Sequence, residues 1–100
     1  MAKFVVVVLF KAKPGHLEEI RSLMMANAEI SVAEEENCYQ FDVVRRQDDE
    51  NAFIFYETYK DLASFEYHLT TEHSIAFNAK LKEMGDKTER IPMRCEMISG

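Results

Sequence analysis

Phe4 to Phe10 reads FVVVVLF, a β-branched and aromatic run without polar alternation, which predicts a strand covered on both faces. After Pro14-Gly15 the period changes. Leu17, Ile20, Met24, Asn27 and Ala28 recur at helical spacing, with Leu23 and Ile30 widening the stripe, as far as the Glu34 cluster. Asn37 is placed to end that connection in a left-handed conformation, and Cys38 to Arg45 returns to strand composition. Polar Gln47 to Asn51 predicts a hairpin turn into a third strand, Ala52 to Tyr59. Asp61 is an N-cap for a short helix that turns Leu62, Phe65 and Leu69 inward. Thr70 or Thr71 caps another helix, which presents Phe77, Leu81 and Met84 and stops at Gly85. Lys87 to Ile98 is a last strand, and Pro92 sets it at an edge or near a bulge.

The order β-α-β-β-α-α-β predicts an α+β fold, a ferredoxin-like split βαβ sandwich with helices on one face of an antiparallel sheet. The other face stays open. Because the first strand is apolar on both sides, that open face would be an association surface, and a homodimer packing sheet against sheet resolves it.

The chain has 100 residues, enough for one domain, and 47% of them are apolar, with no low-complexity tract to mark a linker. Its formal net charge of −6 repels phosphate backbones and anionic lipid, which argues against nucleic acid and membrane partners. The opening apolar run is too short for a membrane span and lacks a small-residue cleavage site, so a cytoplasmic location is expected. Glu34-Glu35-Glu36 and Asp48-Asp49-Glu50 read as solvated charge runs. Cys38 and Cys95 have no metal or redox spacing and are expected as reduced, mostly buried thiols.

The candidate chemistry lies between Phe53 and Phe77. Strand alternation puts Phe53, Phe55, Glu57 and Tyr59 on one face, so Glu57 sits in an aromatic row and needs a partner there. His68 and His73 are the evident candidates. The five-residue separation of the histidines crosses a helix break, so no metal site is assigned to them, and no Gly-rich phosphate loop or dinucleotide fingerprint appears. No cofactor is expected.

Taken with the order of elements, several motifs carry a resemblance. They are Pro14-Gly15, Ser31 with Glu34-Glu35, Phe55-Tyr56-Glu57, and Ala63 with His68-Leu69-Thr70-Thr71-Glu72-His73. Over nearly its whole length, as a single domain 1–100, the chain resembles the antibiotic biosynthesis monooxygenase family of dimeric α+β barrels. Locally, from Phe41-Asp42-Val43 to Tyr56-Glu57 and on to His73, and at Asn27 and Ser31, it is most similar to the branch that processes phosphorylated autoinducer-2. It departs from the family at Glu36-Asn37, where Pro-Gly is usual, and at Ser74, where an aromatic is common. It also lacks the Trp of the haem-degrading and best-known polyketide-oxidising members.

The resemblance implies a pocket between sheet and helices. Its catalytic candidates are His68 as base, His73 as a donor to a substrate oxygen, and Glu57, chiefly as the partner holding a histidine or the Thr71 region. Asn27, Tyr59, Ser31, Thr71 and Phe55 are the substrate-binding candidates. Three functions follow. One is a cofactor-independent monooxygenase acting on a small quinol-like or aromatic substrate. Another is an isomerase of phosphorylated autoinducer-2, moving a proton beside a carbonyl while Lys11, Lys13, Arg45 or Arg46 holds the phosphate. The third is a non-catalytic dimeric module binding a small ligand.

Overall fold

The computed structural model describes residues 3–84 and 88–99. Strand β1 (Phe4–Ala12) is followed by helix α1 (Leu17–Glu34), strands β2 (Cys38–Arg45) and β3 (Ala52–Tyr59), helices α2 (Leu62–His68) and α3 (Glu72–Glu83), and strand β4 (Thr88–Glu96). The strands form one antiparallel sheet in the order β2-β3-β1-β4, so the first strand is central and the last lies at an edge. This is the ferredoxin-like α+β arrangement.

Register decides which side chains meet. Val6 pairs with Glu57 on one side and Arg94 on the other, Val8 with Phe55 and Pro92, and Phe10 with Phe53 and Arg90. Those rows face the helices, because side chains two apart share a face. Val5, Val7 and Leu9 of β1, Ile54 and Tyr56 of β3, Val44 of β2, and Ile91 and Met93 of β4 point to the other face, which no helix covers among the described residues. The core lies on the helix side, where Phe55 packs edge-on against Phe10 and Phe41, with ring centroids 4.6 Å and 4.9 Å away.

The helix starts follow local rules. Gly15 has a φ of +92°, a conformation that glycine adopts without strain, and it turns the chain into α1. Asp61 accepts the Ser64 amide at the start of α2, and Thr71 accepts the Ser74 amide at the start of α3. The stripe of α1 that enters the core is Ile20, Met24, Asn27, Ala28 and Ser31.

Several expectations need correction. Asn37 is not left-handed; among the described residues only Gly15 has a positive φ. Leu62 and Leu69 are exposed, because α2 is too short to bury more than the face carrying Phe65 and His68. Ile30 is exposed on the flank of α1, and Cys95 is exposed on the edge strand, beyond which no strand pairs among the described residues. The expected stop at Gly85 and the strand start at Lys87 lie outside the described residues.

Candidate active site

A cavity of about 250 Å³ opens between the sheet and the helices. Val6, Val8, Phe10, Phe41, Phe55, Phe65 and Phe77 make its apolar wall. The polar groups reaching it are Asn27 from α1, Glu57 from β3, His68 from the end of α2, Ser74 and Asn78 from α3, and Arg90 and Arg94 from β4. An apolar pocket with a few convergent polar groups is the usual form of a small-molecule site.

His68 is 4% exposed and terminates α2, where its carbonyl accepts the Thr71 hydroxyl at 2.7 Å. Its ring is fixed from behind. Nδ1 donates to Glu35 Oε2 at 2.7 Å, and His73 Nε2 donates to the same oxygen at 2.5 Å. A carboxylate only accepts, so these contacts set both tautomers: the proton is on Nδ1 in His68 and on Nε2 in His73. With Nδ1 engaged, Nε2 is the nitrogen His68 offers to the cavity.

Glu35 itself is 4% exposed. Burial pushes its carboxyl up, but the hydrogen bonds and electrostatic attraction of His68 and His73 outweigh that and hold it below the usual range. It stays an anion among imidazoles. This corrects the reading of Glu34-Glu35-Glu36 as a solvated run, since only Glu34 and Glu36 are exposed. The missed signal was spacing. Asn27, Ser31 and Glu35 are four residues apart in succession, so Glu35 continues the buried stripe of α1 as its C-cap.

Glu57 does not pair with a histidine. Its Oε1 accepts the Tyr59 hydroxyl at 2.6 Å within the same strand face. Burial pushes the Glu57 carboxyl up to about 7, against the opposing pull of the Tyr59 hydrogen bond and of His68. Burial and the Glu57 charge both raise the Tyr59 phenol, which therefore remains a donor. Cys38 is pushed up to about 12, first by burial and then by Glu35 and Glu57, and is an unreactive thiol.

The other candidates divide. Phe55 and Asn27 line the cavity, and the buried Asn27 Oδ1 has no hydrogen-bond partner among the described residues. Tyr59 and Ser31 are fully buried behind the cavity wall; Ser31 donates to the Asn27 carbonyl at 2.8 Å. Thr71 caps α3 and steadies His68, while His73 lies with Thr71 and Glu35 in a separate depression. The cations named for a phosphate lie elsewhere: Lys11 pairs with Asp49 at 2.8 Å, Arg46 pairs with Asp48, and neither Lys13 nor Arg45 lines the cavity.

Glu35, His68 and His73 could also hold a metal ion, their ligand atoms lying within 4.8 Å of one another. The two ring protons now directed at Glu35 would have to leave first.

Residues 3–80 match the family model described as antibiotic biosynthesis monooxygenase. The chain belongs to this family. Its relatives include the Bacillus subtilis protein named "Putative monooxygenase YcnE", 38% identical over 74 residues, covering 74% of this chain and 77% of the relative. Two similar solved structures support the fold of this family member. The "Putative antibiotic biosynthesis monooxygenase" of Nitrosomonas europaea has a TM-score of 0.87 at 22% identity, covering 96% of this chain and 90% of that one. PA3566 of Pseudomonas aeruginosa also has a TM-score of 0.87 at 22% identity, covering 99% of this chain and 97% of that one.

Proposed function

We propose that this member of the family is a cofactor-independent monooxygenase acting on a small quinol-like substrate, with His68 as its base. The observation that carries the reading is the placement of His68 on the cavity wall with Nδ1 tied to the buried Glu35 anion. Nε2 takes the hydroxyl proton of the quinol, and the resulting electron-rich anion reacts with oxygen. A quinol and O₂ give a hydroxyquinone and water, with one oxygen atom entering each product and no external reductant required. Glu35 steadies the imidazolium formed, and the aromatic wall keeps water from the reactive intermediate.

Glu57 and Asn27 complete the polar surface available to the substrate. His73 acts from behind, sharing the Glu35 oxygen, and Tyr59, Ser31 and Thr71 hold the groups that do reach the cavity. The active species is proposed to be a homodimer joined through the open sheet face, in the cytoplasm, where Cys38 and Cys95 remain free thiols.

The test is oxygen consumption by chelator-treated protein over a panel of small quinols, with His68→Ala alongside. Uptake by the parent that is lost in the variant supports the reading; absence of uptake above background across the panel rejects it for those quinols. Arg90 and Arg94 at the cavity favour a second reading, an isomerase of a phosphorylated autoinducer-2-type sugar, whose turnover would be independent of oxygen. Ligand binding that survives His68→Ala without any turnover would instead favour the binding module.

A further inference from the structure

We infer that Arg90 and Arg94 make the β4 side of the cavity an anion-binding edge, so that the substrate carries a carboxylate or phosphate. This deepens the proposed function by naming a substrate class for the same cavity, and its evidence does not depend on the base role of His68. Both residues are on the cavity face of β4, separated by Pro92, and both are exposed at the cavity. Among the described residues neither is paired with a carboxylate, unlike Lys11 and Arg46.

Their geometry suits an incoming anion. The Arg94 guanidinium lies 5.4 Å from the centre of the Phe65 ring, and a guanidinium stacked on an aromatic face keeps its N–H edge free for an oxyanion. Arg90 Nη1 donates to Asn78 Oδ1 at 2.7 Å, which fixes the side chain while its other donors remain. The same cavity holds His68 and the unpartnered, buried oxygen of Asn27, an acceptor calling for a hydroxyl on the ligand.

Charge points the same way. In a chain of net charge −6, the cavity lining holds two arginines and a single carboxylate among the described residues. That carboxylate, Glu57, is raised by burial to about 7, so near neutrality much of its charge is suppressed. A local positive potential at a cleft draws in anions and repels cations.

The experiment is a binding titration followed by amide chemical shifts, using 4-hydroxybenzoate, 4-hydroxyphenyl phosphate and the neutral methyl 4-hydroxybenzoate. Each is titrated into the parent, Arg90→Gln, Arg94→Gln and the double variant. The parent should prefer an anion over the ester by about tenfold or more, and the double variant should lose that preference. The favoured anion separates a carboxylate subsite from a phosphate subsite. An ester that binds as tightly as both anions, a preference that survives in the double variant, or no response of cavity residues to either anion overturns the inference. His68→Gln should keep the anion preference, so loss of oxygen uptake there bears on the base alone.

Discussion

Glu35 Oε2 lies 2.7 Å from Nδ1 of His68, a residue that lines the cavity. Glu35 itself does not line the cavity, so it acts on a ligand only through the ring it orients. Glu35→Gln should therefore lower kcat by roughly ten- to a hundredfold while leaving KM nearly unchanged, because the charge that steadies the imidazolium is lost but the cavity wall is not. Steady-state kinetics separates the two terms. A KM that rises with kcat unchanged would place Glu35 in substrate binding instead.

That relationship also marks how far the sequence could be read. The strands, the long helix, a cap at Asp61, another at Thr70 or Thr71, and an edge or bulge at Pro92 follow from local periodicity and capping chemistry. So does the concentration of chemistry around His68. What stayed hidden depends on contacts across the chain. Glu35 and His68 are 33 residues apart, so nothing local shows that they meet. A place in a buried row makes Glu57 a natural partner for the histidines, yet Tyr59, two residues on, points to the same face and takes it first. Arg90 and Arg94 line the cavity because β4 pairs beside β1, a long-range pairing that puts these alternate residues of the edge strand on the helix side.

Glu57 should make stability fall as pH rises. Its folded carboxyl stands at about 7 against an ordinary value of 4.5, so between those values the native state holds a proton that the unfolded chain has released. The proton bookkeeping gives a loss of roughly 3 kcal/mol from this group, complete above its folded value. Glu35 acts oppositely and in another window: its lowered carboxyl stabilises the fold above 4.5 and loses that contribution as pH falls below it. Glu57→Gln keeps an acceptor for Tyr59 and removes the titration. Urea unfolding at about pH 5 and about pH 8 should show a smaller decline in the variant than in the parent; identical declines would remove Glu57 as the cause.

Thr71 serves two helices at once. Its hydroxyl donates to the His68 carbonyl at 2.7 Å and accepts the Ser74 amide at 3.2 Å. Thr71→Val preserves shape but leaves both groups without that partner, and should cost about 1–2 kcal/mol. Thr71→Ser should recover most of it. Thermal unfolding of the two variants is the measurement, and equal melting temperatures would show that water replaces the cap at no cost.

The open sheet face gives the last prediction. Leu9, Val44, Ile91 and Met93 are 37%, 47%, 59% and 39% exposed, and the strand register places them on one side with Val7, Ile54 and Tyr56. An apolar face of this kind in water favours association, and a second copy of the chain presents the same face for isologous packing. Light scattering after size exclusion should give twice the chain mass. Leu9→Arg puts a charge into the middle of the proposed interface, where a buried unpaired cation costs several kcal/mol, roughly, and should shift the protein to monomer. The exposed α1 residue Met25, changed to Arg as a control, should leave the mass unaltered. A parent chain that stays monomeric at high concentration would rule out the sheet-to-sheet dimer, and a dimer indifferent to Leu9→Arg would move the interface to another face.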